Sequence, residues 1–188
     1  TLGQLTLVPD ETLTIPVPGV YEIDPDHSAV RFVARHIAMS RVYGQFQEFS
    51  GQVRIAEDFE DSHVEVLIDA ASVFTNAEKR DEHLRSPDFL NAGEFPEMTF
   101  TLTGSNATGD KTGTVDGELE LLGRKHPVTL NVTWNKASEY PFGGGLFGSK
   151  PYALGVSARG SFKRSTFGMT YGVEQGWVGD EIEVIIEF

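Results

Sequence analysis

Any chemistry in this chain must come from histidine, arginine, serine or carboxylate side chains, because it contains no cysteine. Disulfides, thiol nucleophiles and cysteine-ligated metals are thereby excluded. The five histidines, His27, His36, His63, His83 and His126, are scattered. None stands in an HxH or HExxH spacing, which would aim two imidazoles at one metal from a strand or a helix, so no metal site is expected. No serine sits in a GxSxG turn, and no pair of carboxylates stands out as acid and base. No catalytic residue is assigned.

Two groups of polar residues are more informative. His36 shares its parity with Val30, Phe32 and Ala34, and on a strand one parity is one face. An imidazole turned toward an apolar interior needs a partner. That partner is either a backbone carbonyl or carboxylate of the core, or the polar end of a ligand. The second group is the run "EKRDEHLRS", with Arg80, Asp81, His83 and Arg85. Glu78 and Glu82, Lys79 and His83, and Asp81 and Arg85 lie four apart, as ordinary neighbours on an exposed helix face do. Arg80 falls on the same helix face as Ala77 and Leu84, with Asp81 a further candidate for it, and an arginine drawn inward suits carboxylate or phosphate recognition.

These residues must be positioned by strands. Period-two segments follow one another from Val30 onward. Val64, Val66, Ile68 and Ala70 share a face, as do Met98, Phe100 and Leu102. So do Val128, Leu130, Val132 and Trp134; Leu154, Val156, Ala158 and Phe162; and Ile182, Val184, Ile186 and Phe188. The apolar parity changes between Phe46 and Phe49, which predicts a bulge or tight bend. "VDGELELLGRKHPVTLNVTW" predicts a hairpin with "LGRKHP" at its tip. About eight amphipathic strands in sequence predict an all-β fold, an eight-stranded antiparallel lipocalin-like barrel, with a two-sheet sandwich as the competitor. One short helical insertion is expected. "TNAE" has capping-box spacing with Thr75 as N-cap, the helix runs on from Ala77, and Pro87 breaks it. Ser86 and Pro87 are placed to start a second turn. Residues 1–20, with Pro9, Pro16 and Pro18, read as an extended N-terminal arm before a barrel domain over 21–188.

The chain has 188 residues, enough for one domain with a sizeable core. Its formal net charge of −13 argues against nucleic acid or an anionic surface as the main partner. No apolar run approaches the ~20 residues of a membrane-spanning helix. No basic segment followed by an apolar core opens the sequence, so a cytoplasmic location is expected, or a periplasmic or secreted one if an upstream leader has been removed.

Four stretches, taken together, resemble the YceI-like family of bacterial polyisoprenoid-binding barrels: "DPDHSAVRFVARHIAMSRVYGQF", "TNAEKRDEHLRSPDFLNAGEFPEMTF", "GELELLGRKHPVTLNV" and "GSFKRSTFGMTY". They occur in the family's order and span Tyr21 to Phe188. The resemblance implies a carrier for an elongated isoprenoid or other lipid-like amphiphile of the quinone or polyprenyl pyrophosphate type. It also implies no required cofactor, an isoprenoid or lipid-like molecule as a co-purifying occupant, and a homodimer as a candidate assembly. The Gly-rich aromatic insertion Tyr140–Tyr152 is longer than the family pattern.

On this reading Phe32, Phe46, Phe100, Leu102, Leu119, Leu121, Val132, Trp134, Val156, Phe162 and Ile182 line a tunnel. Leu84, Phe89 and Leu90 close one side, and Phe167 and Met169 stand at a mouth. His36, Arg80, His83, Arg85 and Arg164 are headgroup candidates. Two competitors stand beside the carrier. One is an enzyme acting on a small amphiphile with His36 as general base and an arginine as anion stabiliser. The other is a solid barrel whose apolar patch at Phe142–Phe147 docks a partner.

Overall fold

The computed structural model describes residues 16–58, 61–141 and 150–188. Among them, eleven strands form one antiparallel sheet in the order β1-β4-β5-β7-β8-β9-β10-β11-β2-β3-β6. The strands are β1 (Gly19–Glu22), β2 (Ala29–His36), β3 (Ser40–Phe46), β4 (Phe49–Ile55), β5 (His63–Asp69) and β6 (Val73–Phe74). The rest are β7 (Glu97–Ala107), β8 (Thr112–Leu121), β9 (Arg124–Glu139), β10 (Tyr152–Lys163) and β11 (Val178–Glu187). Among the described residues the one α-helix is α1 (Glu78–Arg85), beside short 3-10 turns at Ala70–Ser72 and Arg164–Phe167.

Alternation sets the faces. In β9 Val128 and Leu130 are buried while Thr129, Asn131 and Thr133 are exposed. The sheet curls because its register shifts three times, at Leu102/Gly104, Gly155/Val156 and Val178/Ile182, and each irregularity adds twist. The curl brings Phe49 of β4 within 6.1 Å of Phe188 beyond β11, ring to ring. Tyr21 of β1 similarly meets Tyr152 of β10 at 6.5 Å.

The parity change between Phe46 and Phe49 is a strand switch. β3 pairs with β2 and β6, β4 pairs with β1 and β5, and Gln47–Glu48 join the two pairs. Gln47 N–H donates to Ser72 O at 3.1 Å and Asp69 N–H to Glu48 O at 3.0 Å, stitching the seam.

The structure differs from the sequence reading in three local respects. Among the described residues there are eleven strands rather than about eight, in part because β1 and the two-residue β6 carry almost no alternation of their own. Gly19 and Val20, read as the end of an arm, pair with Ile55 and Arg54. The N-cap of α1 is Ala77, with no side-chain bond. Asn76 takes a left-handed φ of 61°, which turns Thr75 back toward the helix, so that Thr75 N–H and Oγ1–H both donate to Asp81 Oδ1, at 2.9 and 2.5 Å. Asp81, 4% exposed, is therefore the helix residue drawn inward.

The tightest packing lies at one end of the sheet, under α1. Ala70, Val73, Phe167, Leu121, Met98, Phe89 and Leu90 are all buried there in one cluster. The segment Phe142–Phe147, expected as an apolar patch, lies outside the described residues.

Candidate functional site

The inward faces of the curled sheet enclose a cavity of about 300 Å³. Its wall is built mainly from alternate residues of β2, β4, β5 and β7–β11, with Phe46 of β3 and Val73 of β6. Phe32, Phe46, Phe100, Leu102, Leu119, Leu121, Val132, Trp134, Val156, Phe162 and Ile182 all lie in it, on the parity read from the sequence. Leu84, Phe89, Leu90 and Met169 close the end under α1. No His, Asp, Glu, Lys or Tyr is among the described lining residues.

The degree of burial is informative. Phe100, Leu102, Leu119, Val132, Val156 and Ile182 point inward and yet remain only half-buried. Side chains in a filled core would be covered by one another. Two close approaches keep the middle open. An added Cβ on Gly44 would lie 2.2 Å from Phe32 Cζ, and one on Gly117 would lie 2.1 Å from Phe100 Cζ. Each phenyl ring therefore lies flat over a glycine of the neighbouring strand and hugs the wall instead of crossing the lumen.

The floor under α1 is held by arginines. Arg164 is 1% exposed and donates from Nε to Gly179 O, from Nη1 to Met169 O, and from Nη2 to Tyr171 O and Val178 O, all at 2.8–2.9 Å. Burial pulls its pKa down, and the nearby Asp180 opposes that shift. Its guanidinium carbon stands 5.7 Å from the Phe89 ring centre. Arg85 donates to Ala71 O at 2.6 Å and Val73 O at 2.9 Å, tying α1 to β6.

Five sequence-predicted site residues lie elsewhere, Arg85 among them because its guanidinium is spent on the Ala71 and Val73 carbonyls. His36 is exposed at the end of β2, outside the lining, because the hairpin turn begins immediately after it and the strand has left the wall. The general-base arrangement proposed for it is not formed. Arg80 is exposed and folds onto Thr75, donating to its Oγ1 at 2.7 Å and its carbonyl at 2.8 Å. His83 sits outside the cavity, edge-on to Phe89 and Tyr171 at 5.0 Å each, with Nε2 2.8 Å from Asp88 Oδ2. Phe167 is 1% exposed but packs behind the wall, against Phe162 at 5.3 Å and His126 at 4.9 Å.

Other wall residues were open to sequence reasoning. Val64, Val66, Ile68, Val128, Leu130 and Ile186 line the cavity on faces that alternation already marked. Ser105 was hidden. The register shift at Leu102/Gly104 moves β7 by one residue, so the odd positions face inward beyond it.

A family model described as YceI-like domain matches residues 21–188. The UPF0312 protein YE1254 of Yersinia enterocolitica is 37% identical over 175 residues, covering 90% of this chain and 85% of that protein. Protein YceI of Salmonella newport is 35% identical over 173 residues, with 90% and 85% covered. The YceI protein of Campylobacter jejuni superposes with a TM-score of 0.68 at 26% identity, covering 82% of this chain and 86% of that one. Burkholderia cenocepacia BcnA gives a TM-score of 0.74 at 22% identity, covering 88% and 97%. A polyisoprenoid binding domain from Saccharophagus degradans gives 0.61 at 15% identity, covering 91% and 97%. These last two show the shared fold.

Proposed function

We propose that this chain, which belongs to the YceI-like family, carries an elongated isoprenoid or other lipid-like amphiphile inside its sheet. The observation behind the proposal is the hollow, almost wholly apolar interior, whose inward side chains stay half-buried. The cavity's volume falls at the lower end of the range for small-molecule sites, about 300–1,000 Å³. Each buried methylene contributes ~0.8 kcal/mol before ordering costs, so a branched chain of a few isoprene units suffices for firm binding. Polyisoprenoid quinones and polyprenyl pyrophosphates share such a tail. The name of the Saccharophagus degradans neighbour points the same way. Holding rather than converting the ligand fits a wall without imidazole, carboxylate or amine among its described residues.

Native mass spectrometry after mild extraction, with geranylgeraniol titration of the delipidated protein, tests this. A co-purified lipid-like mass or saturable binding is expected. A protein that always emerges empty and does not take up geranylgeraniol would sink the carrier reading.

A further inference from the structure

The end of the barrel at α1 carries an apolar tip that folding alone does not require. Ile37 and Ala38 are the central residues of the β2–β3 turn, which Met39 N–H closes on His36 O at 3.0 Å. Both take a left-handed φ, of 44° and 55°. Such turns favour Asn-Gly, and a β-branched residue at positive φ is strained. The run "IAM" nevertheless keeps three apolar residues there, all exposed, Met39 by 85%. Ile37 N–H donates to Trp177 O at 2.9 Å, and Trp177, 51% exposed, lies 6.2 Å from Tyr171, ring to ring. Tyr171 in turn meets Phe89, which closes the cavity at this end, at 5.2 Å. Ile37, Met39, Tyr171 and Trp177 do not line the cavity themselves.

Charge at this end runs against the rest of the chain. Residues 27–47 hold Arg31, Arg35 and Arg41 and no Asp or Glu, in a sequence with 28 acidic residues. Arg35 and Arg41 stand directly opposite each other just behind the turn. Both are exposed, and neither forms an ion pair among the described residues. Like charges set opposite one another weaken a strand pair, so folding does not explain them either. The carboxylates of β11 and the loop before it are Glu174, Asp180, Glu181 and Glu183. Of these, Asp180 accepts from Ser165 and Glu181 from Ser161, while Glu183 stands level with Val33, back from the tip. An aliphatic tip, a Trp and a Tyr beside it, and arginines behind it form the pattern of a protein seated in a bilayer interface. We infer that this end docks on an anionic lipid bilayer, with Ile37 and Met39 among the acyl chains, Trp177 and Tyr171 at headgroup level, and Arg35 and Arg41 against lipid phosphates. The net charge of −13 opposes adsorption of the chain at large, so docking takes one orientation. A second copy fits worse, because a two-fold contact through the tip would bring the arginines of both copies together.

Flotation with vesicles free of isoprenoid tests this, using phosphatidylcholine alone and an equal mixture of phosphatidylcholine and phosphatidylglycerol. Wild-type protein is expected to float with the anionic vesicles and to be released by high salt. The chain has two tryptophans, Trp134 and Trp177, and a blue shift of emission on binding should disappear in Trp177→Phe. Arg35→Gln together with Arg41→Gln is expected to weaken binding about 25-fold, each arginine near an anionic surface being worth roughly fivefold. Ile37→Asn with Ala38→Gly suits the left-handed φ of the turn, so it should hold or raise the melting temperature while weakening vesicle binding roughly tenfold. Met39→Ser should weaken binding to a similar degree. No binding to the anionic vesicles, equal binding to both kinds, or undiminished binding by the turn variants would overturn the inference. So would a wild-type dimer that the turn variants split into monomers in analytical ultracentrifugation, which would assign the tip to a second copy.

Discussion

Replacing Gly117 by alanine tests the hollow interior most directly. The new Cβ would lie 2.1, 2.4 and 2.8 Å from three Phe100 ring carbons, where ordinary contact begins near 3.4 Å. Gly117 lies in β8, hydrogen-bonded between β7 and β9, so its backbone cannot retreat. The ring must move by about 1.3 Å, and it can move only away from the sheet, into the cavity. Overpacking a tight core costs about 1–3 kcal/mol. Here the ring has vacant space to enter, and removing a glycine offsets ~0.4–1 kcal/mol through the unfolded chain. The ligand-free protein should therefore lose no more than about 1–2 kcal/mol in urea unfolding. Binding should suffer more, because the displaced ring takes space the tail would fill. A loss of about 1–2 kcal/mol of affinity for geranylgeraniol, roughly 5–30-fold, is expected by fluorescence competition. Gly44→Ala should act alike through Phe32, whose Cζ would stand 2.2 Å from the new atom. Wild-type affinity in both variants, or a stability loss beyond about 4 kcal/mol, would show that the rings do not border usable space.

Other outcomes follow from the floor and the surface. Arg164→Met leaves four carbonyls without their donor and should cost about 3–5 kcal/mol in urea unfolding; Arg164→Lys, with one nitrogen, should recover less than half. Asp81→Ala strips the acceptor from the Thr75 N–H and hydroxyl and should cost about 1–3 kcal/mol, whereas Asp81→Asn keeps that oxygen and should cost clearly less by the same measurement. Asp24 is held below its ordinary value of 3.8, first by the hydrogen bond from His27 and then by the Asp26 N–H. A carboxylate depressed in the folded state stabilises above its unfolded pKa, and the effect fades as pH falls through the folded value. Because Asp24 is fully exposed, Asp24→Asn should leave the melting temperature at pH 7 nearly unchanged and should alter the acid limb below pH ~4 only slightly.

Much of the wall was legible without coordinates. Phe100, Leu102, Val132, Val156 and Ile182 face the cavity because alternation in a strand is strict, and a strand with one apolar face must bury it. The helical insertion announced itself through its charged run and Pro87. His36 was misplaced for a related reason. Parity says which face a residue shares, but it does not say where along the strand the wall ends, and His36 is the last residue of β2. Arg80 and His83 were read as headgroup candidates from their chemistry, yet partners distant from any ligand, Thr75 and Asp88, engage them first.

What the amino-acid order by itself determined, the short β1 and β6 apart, is the long amphipathic strands, their inward faces and the helix that caps one end, since these depend on periods of two and 3.6 residues within short segments. Only the tertiary structure decided that the interior is hollow. That outcome depends on strands far apart in sequence: β2 lays Phe32 over Gly44 of β3, and β7 lays Phe100 over Gly117 of β8. It depends equally on register shifts that turn Ser105 inward and on a buried Arg164 that finds its acceptors in four separate backbone carbonyls. No local pattern encodes whether inward side chains meet one another or stop short, because that is set by how tightly the sheet curls.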